Sequence, residues 1–390
     1  MATNNNDKTL NVPPLRFPEF TEEWGKCKVS DLLDIYSTNS LSWEQLEYDT
    51  NAIMNLHYGL IHVGLPTMVN LTKDKLPNIK EGNMPKNFEL CKEGDVAFAD
   101  ASEDTNEVAK TVEFFNLAGK DIVCGLHTIH GRDNKNRTVI GYKGYAFSST
   151  AFHNQIRRIA QGTKIYSISS KNFSECYIGL PSKPEQTKIA TLLRLIDERI
   201  VTQNKIIEKL QSLIKGITIL LTAKGKPNTT IAQCLECHSS TLQESEVSHS
   251  GLYKVFGANG LVGYTDMPQM NGDAILIIKD GSGVGTTSYA QGEFSVIGTL
   301  NYLTAISNYD LRYLYFVLSV FNFQSYKTGM AIPHIYFKDY GNAKIFCPPL
   351  SEQKRIANVL GKLESKLCLE QNILASFNLQ KRYLLGQMFI

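Results

Sequence analysis

The chain has 390 residues, 43% of them hydrophobic and 20% charged, enough to bury at least one large core and long enough for two or three domains. A net charge of only +2 excludes a uniformly basic nucleic-acid coat but leaves room for a local basic face. Eight cysteines scattered singly, at 27, 91, 124, 176, 234, 237, 347 and 368, point to free thiols rather than a disulfide framework.

The amino terminus, residues 1–8, is polar and lacks the apolar stretch of an export signal, so a cytoplasmic protein is expected. Residues 15–161 mix short apolar runs with Gly, Asn, Asp and Thr turns, the pattern of a β-rich region with some helix; residues 147–158 read as helical and carry Arg157 and Arg158. From residue 162 onward a repeat appears. Residues 162–193 align with residues 329–360 at a constant offset of 167 without a gap. Eleven positions are identical, against about two expected from composition: Gly162/Gly329, Ile165/Ile332, Ile168/Ile335, Lys171/Lys338, Ile178/Ile345, Pro181/Pro348, Glu185/Glu352, Gln186/Gln353, Ile189/Ile356, Ala190/Ala357 and Leu193/Leu360.

The repeated stretch runs from a short strand through a proline stop into a helix, with Pro184 expected at N1 and Ser351 at the N-cap. Alternating steps of four and three then select Ile189, Leu193, Ile196, Ile200, Gln203, Ile207, Leu210, Ile214, Ile217 and Leu221, a heptad seam. Adding 167 gives Ile356, Leu360, Leu363, Leu367, Glu370, Leu374, Phe377, Lys381, Leu384 and Met388, apolar except at Glu370 and Lys381. In an antiparallel pair Gln203 and Glu370 would meet near the middle and could fix register. At 1.5 Å per residue, positions 189–221 make a rod of roughly 50 Å. Gly225 and Pro227 supply a stop, and residues 224–230 a linker. The second diverged region, 228–328, again reads as β-rich: 273–279 a buried strand, 280–285 a glycine turn, 286–294 the returning strand of a hairpin, and 311–323 a helix. That last stretch is the most apolar, yet Arg312 interrupts it and it is too short to cross a bilayer, which takes roughly 20 apolar residues.

Two diverged regions, each closed by a proline turn and a Glu-Gln-x-x-Ile-Ala helix, resemble the DNA-specificity subunits of type I restriction-modification systems. Further matching phrases are residues 14–20 with Trp24, 94–100, 127–132, 253–260, Gly263-Tyr264 and Gly272-Asp273. The resemblance covers nearly the whole chain; Pro181-Ser-Lys-Pro184 departs slightly from the family's adjacent prolines. It implies an α+β chain of two similar units, each a mixed α/β target-recognition domain followed by a long helix, the helices forming an antiparallel coiled coil with pseudo-twofold symmetry. The expected division is 1–180 and 225–347 for the recognition domains, 181–224 and 348–390 for the spacer helices. It further implies a bipartite, asymmetric target on double-stranded DNA, two modification methyltransferase subunits docked on the helices, and restriction or translocase subunits beyond them. A fused restriction-methylation enzyme with a degenerate site, or a coiled-coil scaffold without a DNA role, are the competing readings.

Base reading needs Arg or Lys for guanine, Asn or Gln for adenine, and cations for phosphate. His130, Arg132, Asn134, Lys135, Asn136 and Arg137 offer that mixture as a contacting loop in the first region, and Asn259, Lys279, Ser282, Thr286, Thr287 and Tyr289 offer it around the hairpin in the second. The sequence has no Asn-Pro-Pro-Tyr tetrapeptide for amino methylation and no Pro-Asp pair for a common nuclease, and the Gly281-Ser-Gly-Val-Gly285 turn is not followed by Gly-Lys-Ser/Thr. Cys234-Leu-Glu-Cys237-His238 has no second cysteine pair to complete a tetrahedral site. No catalytic residue, cofactor or metal is expected.

Overall fold

The computed structural model describes residues 11–390, so the polar amino-terminal octet lies outside it. Two compact units emerge, one running to Thr202 and completed by Leu374–Ile390, the other spanning Gln203–Ile373.

In the first unit a five-stranded sheet runs in the order Asp34–Tyr36, Thr128–Arg132, Val96–Ala99, Thr111–Asn116, Met68–Asn70. Its middle strand, Val96-Ala-Phe-Ala99, is small and apolar throughout because both of its faces are covered. Val96 and Phe98 join a core with Trp24, Tyr142, Phe147 and Phe152, while Ala97 and Ala99 join another with Leu56, Ile61, Cys91 and Cys124. Strands Ile122–Cys124 and Met54–Leu56 of a smaller four-stranded sheet supply that second core.

The second unit repeats this plan with different residues. Its sheet order is Leu235–Ser239, Leu300–Ala305, Ala274–Ile278, Thr287–Ala290. The middle strand again alternates, Ile275 and Ile277 toward Tyr313, Phe316 and Leu318, Ala274, Leu276 and Ile278 toward Phe294, Val296 and Leu300. In both units this strand is antiparallel to both neighbours, and the smaller sheet contains one parallel pair. The expected hairpin is present as Ala274–Ile278 with Thr287–Ala290. The helix expected at 147–158 is two, Tyr142–Phe147 and Thr150–Ile159, because the Ser149 hydroxyl accepts from the Phe152 amide at 3.2 Å and starts a new helix. The one expected at 311–323 stops at Ser319.

The long helices span Lys183–Thr222 and Leu350–Gln387, so their first residues also stand 167 apart. Pro184 and Ser351 each come second in their helix rather than at N1 and N-cap, because the carbonyls of Ser182 and Pro349 already accept from the amides of Gln186 and Gln353 at 2.9 and 3.0 Å. Every seam position is buried or half-buried. Within the first unit Ile189, Leu193 and Ile196 share a core with Leu384 and Met388, and the polar seam residue Lys381 meets Asp197 at 2.6 Å. Within the second unit Ile356 and Leu360 pack with Ile217, Leu221 and Leu363, and the Gln203 amide donates to the Glu370 carbonyl at 3.0 Å and to its carboxylate. Leu193 and Leu360 are fully buried, each contributing about 1.5–3 kcal/mol. Gly225, just beyond the end of the first helix, permits a close approach, since a Cβ there would run into the Phe346 ring. Among the described residues no helix is long and apolar enough to cross a membrane.

The repeated glutamine explains the Glu-Gln signature. Gln186 donates to the Pro181 carbonyl at 3.0 Å and accepts from the Val139 amide at 3.0 Å. Gln353 donates to the Pro348 carbonyl at 2.8 Å and accepts from the Asp310 amide at 2.9 Å. One side chain thus ties each helix start to its own proline turn and to the domain beside it. The glutamate is not used alike: Glu185 takes both ends of the Arg16 guanidinium, at 2.7 and 2.8 Å, whereas Glu352 faces its helix neighbour Arg355 at 3.6 Å.

Candidate nucleic-acid interface

Of the six residues expected to contact DNA in the first unit, two lie in the core. Thr128–Arg132 is a buried strand, not a loop. His130 is 0% exposed and its Nε2 lies 2.7 Å from Asp95; Arg132 is 6% exposed, bonds Asp95 at 2.8 and 2.9 Å and Glu89 at 2.5 Å, and lies over the Tyr36 ring. Burial would raise the Asp95 carboxyl, yet the hydrogen bonds from His130 and Arg132 hold it below its ordinary value. Burial would likewise lower the Arg132 guanidinium, and its bonds to Asp95 and Glu89 raise it instead. Arg132 and Asp95 are therefore an internal ion pair to which His130 is hydrogen-bonded, and neither His130 nor Arg132 sits on an exposed loop, which corrects the expectation for both.

Asn134, Lys135, Asn136 and Arg137 follow on an exposed turn. Asp133 builds it by accepting from the Lys135 amide at 3.2 Å and the Thr138 amide at 2.8 Å. Asn134 reaches Asp34 and Tyr36, and Lys135 donates to the Asp31 carbonyl at 2.8 Å. The turn sits at the helix-start end of the sheet, where Gln186 donates to the Arg137 carbonyl at 3.2 Å.

The second unit's candidates occupy a different place. Asn259 lies in the exposed turn between Tyr253–Gly257 and Gly260–Thr265. Ser282 and Thr286 are exposed in the glycine turn, Lys279 and Thr287 half-buried at its base. Tyr289 is less available, since its hydroxyl donates to Asp273 at 2.8 Å and Arg312 covers its ring at 4.2 Å. This turn leans on the segment around Gly329: Asp280 bonds His334 at 2.7 Å, and the Ile335 amide donates to the Lys279 carbonyl at 3.0 Å.

The same bond recurs in the first unit, where the Ile168 amide donates to the Asp100 carbonyl at 3.1 Å and Tyr166–Ser167 pairs with Ala101–Ser102. The counterpart of the 279–286 turn is therefore the segment beginning at Asp100, near His127. The counterpart of the 133–138 turn is the segment before Asp310, which Gln353 holds as Gln186 holds Val139. The two expected patches thus stand at opposite ends of equivalent sheets.

At the Asp100 and Lys279 end the repeat builds one loop twice. Gly162 (φ 143°) and Gly329 (φ 85°) both have left-handed backbone, and a Cβ on either would strike the carbonyl oxygen of Ile165 or Ile332. Backbone bonds between 161 and 167 and between 328 and 334 close the two loops. Ile165 and Ile332 are 62% and 58% exposed; Lys171 and Lys338 are exposed too, as is Lys164 in the first unit, while Lys327 in the second is half-buried. Sequence reasoning passed over these residues, although their signal was available: identical apolar and basic pairs that fall outside the heptad.

A sequence model of the type I restriction modification DNA specificity domain matches residues 74–212 and again 232–378, more than half of the chain. The chain is 24% identical over 116 residues to the EcoprrI type I restriction enzyme specificity subunit of Escherichia coli; that match takes in 30% of this chain and 29% of the relative's length. The fold is similar to the crystal structure of a type I restriction-modification S subunit from M. genitalium, with a TM-score of 0.62, 18% identity and coverage of 97% and 99% of the two chains. A structure from a study of type I system assembly and conformational transition is similar at a TM-score of 0.57 and 15% identity, covering 93% and 96%.

Proposed function

The chain belongs to the type I restriction modification DNA specificity family, whose members supply sequence recognition rather than catalysis, and on that premise we propose that it reads a bipartite, asymmetric target on double-stranded DNA, one half-site per recognition domain. The domains are 1–180 and 225–347. Segments 181–224 and 348–390 pair as an antiparallel coiled coil with pseudo-twofold symmetry, setting the gap between half-sites and docking two modification methyltransferase subunits, with restriction or translocase subunits joined to that assembly in the cytoplasm. The observation that carries this reading is the duplicated plan itself: one order of four sheet strands built twice on unlike residues, with one glutamine clamp and one glycine loop repeated on identical ones. A duplicated reader addresses a duplex whose backbone is itself twofold symmetric, while unlike side chains call for unlike half-sites.

A duplicated reader uses the same face in both copies, so the two turns at opposite ends of the sheet are not both the DNA face. The glycine-loop end offers exposed cations in each unit, whereas Asp31, Asp34 and Asp133 crowd the 133–138 turn. The DNA face is accordingly Lys164 and Lys171 in one unit, and Lys279, Ser282, Thr286, Lys327 and Lys338 in the other. The test is DNA binding by the assembled complex as a function of salt. Lys164→Ala with Lys171→Ala, or Lys327→Ala with Lys338→Ala, is expected to weaken binding to every duplex and to flatten the salt slope by about 0.9 for each phosphate no longer neutralised. Lys135→Ala with Arg137→Ala is expected to change neither, and the opposite pattern would move the face to the helix-start end.

A further inference from the structure

We propose that the first recognition domain holds a structural zinc ion on Cys91, Cys124 and His130. Cys91 stands 33 residues from Cys124 in sequence, all three residues are buried, and their ligand atoms lie within 4.8 Å of one another. The two sulfurs are 3.6 Å apart, and two thiolates sharing one zinc at about 2.3 Å in tetrahedral geometry would stand about 3.8 Å apart. A disulfide would need them at about 2.05 Å. A second, independent observation concerns the imidazole. Nε2 of His130 is occupied by Asp95 at 2.7 Å, whereas Nδ1 has no hydrogen-bond partner although the ring is 0% exposed. A buried ring nitrogen is ordinarily satisfied; a metal ion would satisfy this one. Asp95, itself fixed by Arg132, would then be the outer carboxylate that orients a metal-binding histidine.

Two thiolates and one imidazole suit a thiophilic d10 ion rather than Mg or Ca. Binding is not a redox step: Zn²⁺ replaces the two thiol protons, which leave to solvent, and the net charge of the ion and two sulfurs remains zero. The ion would join elements of both sheets, since Cys124 ends the strand Ile122–Cys124 and His130 is central in Thr128–Arg132, while the Cys91 amide donates to the Ile122 carbonyl at 2.8 Å. The second close cysteine pair, Cys234 and Cys347 with sulfurs 3.9 Å apart, falls outside any such three-ligand group among the described residues and serves as an internal control.

The test is metal content and thiol accessibility of the full chain purified without chelator. About one zinc per chain is expected, abolished by Cys91→Ser or Cys124→Ser and retained in Cys234→Ser and Cys347→Ser. Unmutated protein gives the same information without a folding risk: Cys91 and Cys124 should resist alkylation until a chelator is added, while the exposed Cys368 reacts throughout. Refilling the stripped protein with Co²⁺ should produce a thiolate-to-cobalt charge-transfer band. Native protein without stoichiometric zinc and without that band, zinc that survives Cys91→Ser, or a Cys91–Cys124 disulfide found by mass spectrometry would each overturn the proposal.

Discussion

Gln186→Ala and Gln353→Ala should produce matched, local losses of protection. Each substitution removes a donor to a buried proline carbonyl and an acceptor for the Val139 or Asp310 amide. A net hydrogen bond is worth about 0.5–1.5 kcal/mol, but a stranded buried group costs about 1–3 kcal/mol; two would cost about 2–6 kcal/mol, and because the stranded amide is only part-buried the loss falls in the lower part of that range, at about 2–4 kcal/mol. Because a chain of several domains does not unfold in one step, the assay is native-state hydrogen exchange read at the two amides rather than a global melt. At 1.4 kcal/mol per decade, exchange at Val139 should accelerate roughly 30- to 700-fold in Gln186→Ala, and Asp310 should respond by a similar factor in Gln353→Ala. Each should leave the other unit's amide nearly unchanged. A response below roughly threefold, under 0.7 kcal/mol on that scale, or one that appears in only one unit, would refute the idea that the repeated glutamine is the clamp.

Two further outcomes follow from the same contacts. Asp95 is held below its ordinary carboxyl value in the folded chain, so its stabilisation is fully present above about pH 4 and lost as pH falls through the depressed folded value; Asp95→Asn should destabilise at neutral pH, and its deficit against the unmutated chain should narrow in acid. A deficit that stays constant with pH would show that packing rather than charge is responsible. Ile200→Asp combined with Leu367→Asp places unpaired carboxylates at two half-buried seam positions and should abolish assembly with the methyltransferase subunits in size-exclusion light scattering. Assembly at unchanged affinity would contradict the proposed spacer.

The helices were legible because a heptad is local and the 167-residue offset preserves it residue for residue, down to the contact between Gln203 and Glu370. The duplication of the sheets was not legible. Val96-Ala-Phe-Ala99 and Ala274-Ile-Leu-Ile-Ile278 occupy the same place with little identity, because a strand covered on both faces requires only apolar side chains that fill two cores. His130 and Arg132 looked like surface readers for a related reason: the carboxylate that binds both, Asp95, is distant in sequence, 35 and 37 residues away. Their polarity signalled a buried network around one carboxylate, which short-range pattern cannot separate from a solvated turn. Ile165, Ile332, Lys171 and Lys338 carried the opposite signal. Identity outside the seam is visible in the sequence, and burial then separates the exposed pairs from buried ones such as Ile168 and Ile335.

The central claim is that two unlike readers on one duplicated frame each address half of a target. It is tested most directly by replacing residues 228–328 with the corresponding region of another family member and mapping methylated bases in DNA from cells that also express the cognate methyltransferase. The account predicts a split motif in which one half changes while the other half and the gap stay as they were; a change in both halves, or methylation of one uninterrupted short tract, would contradict it.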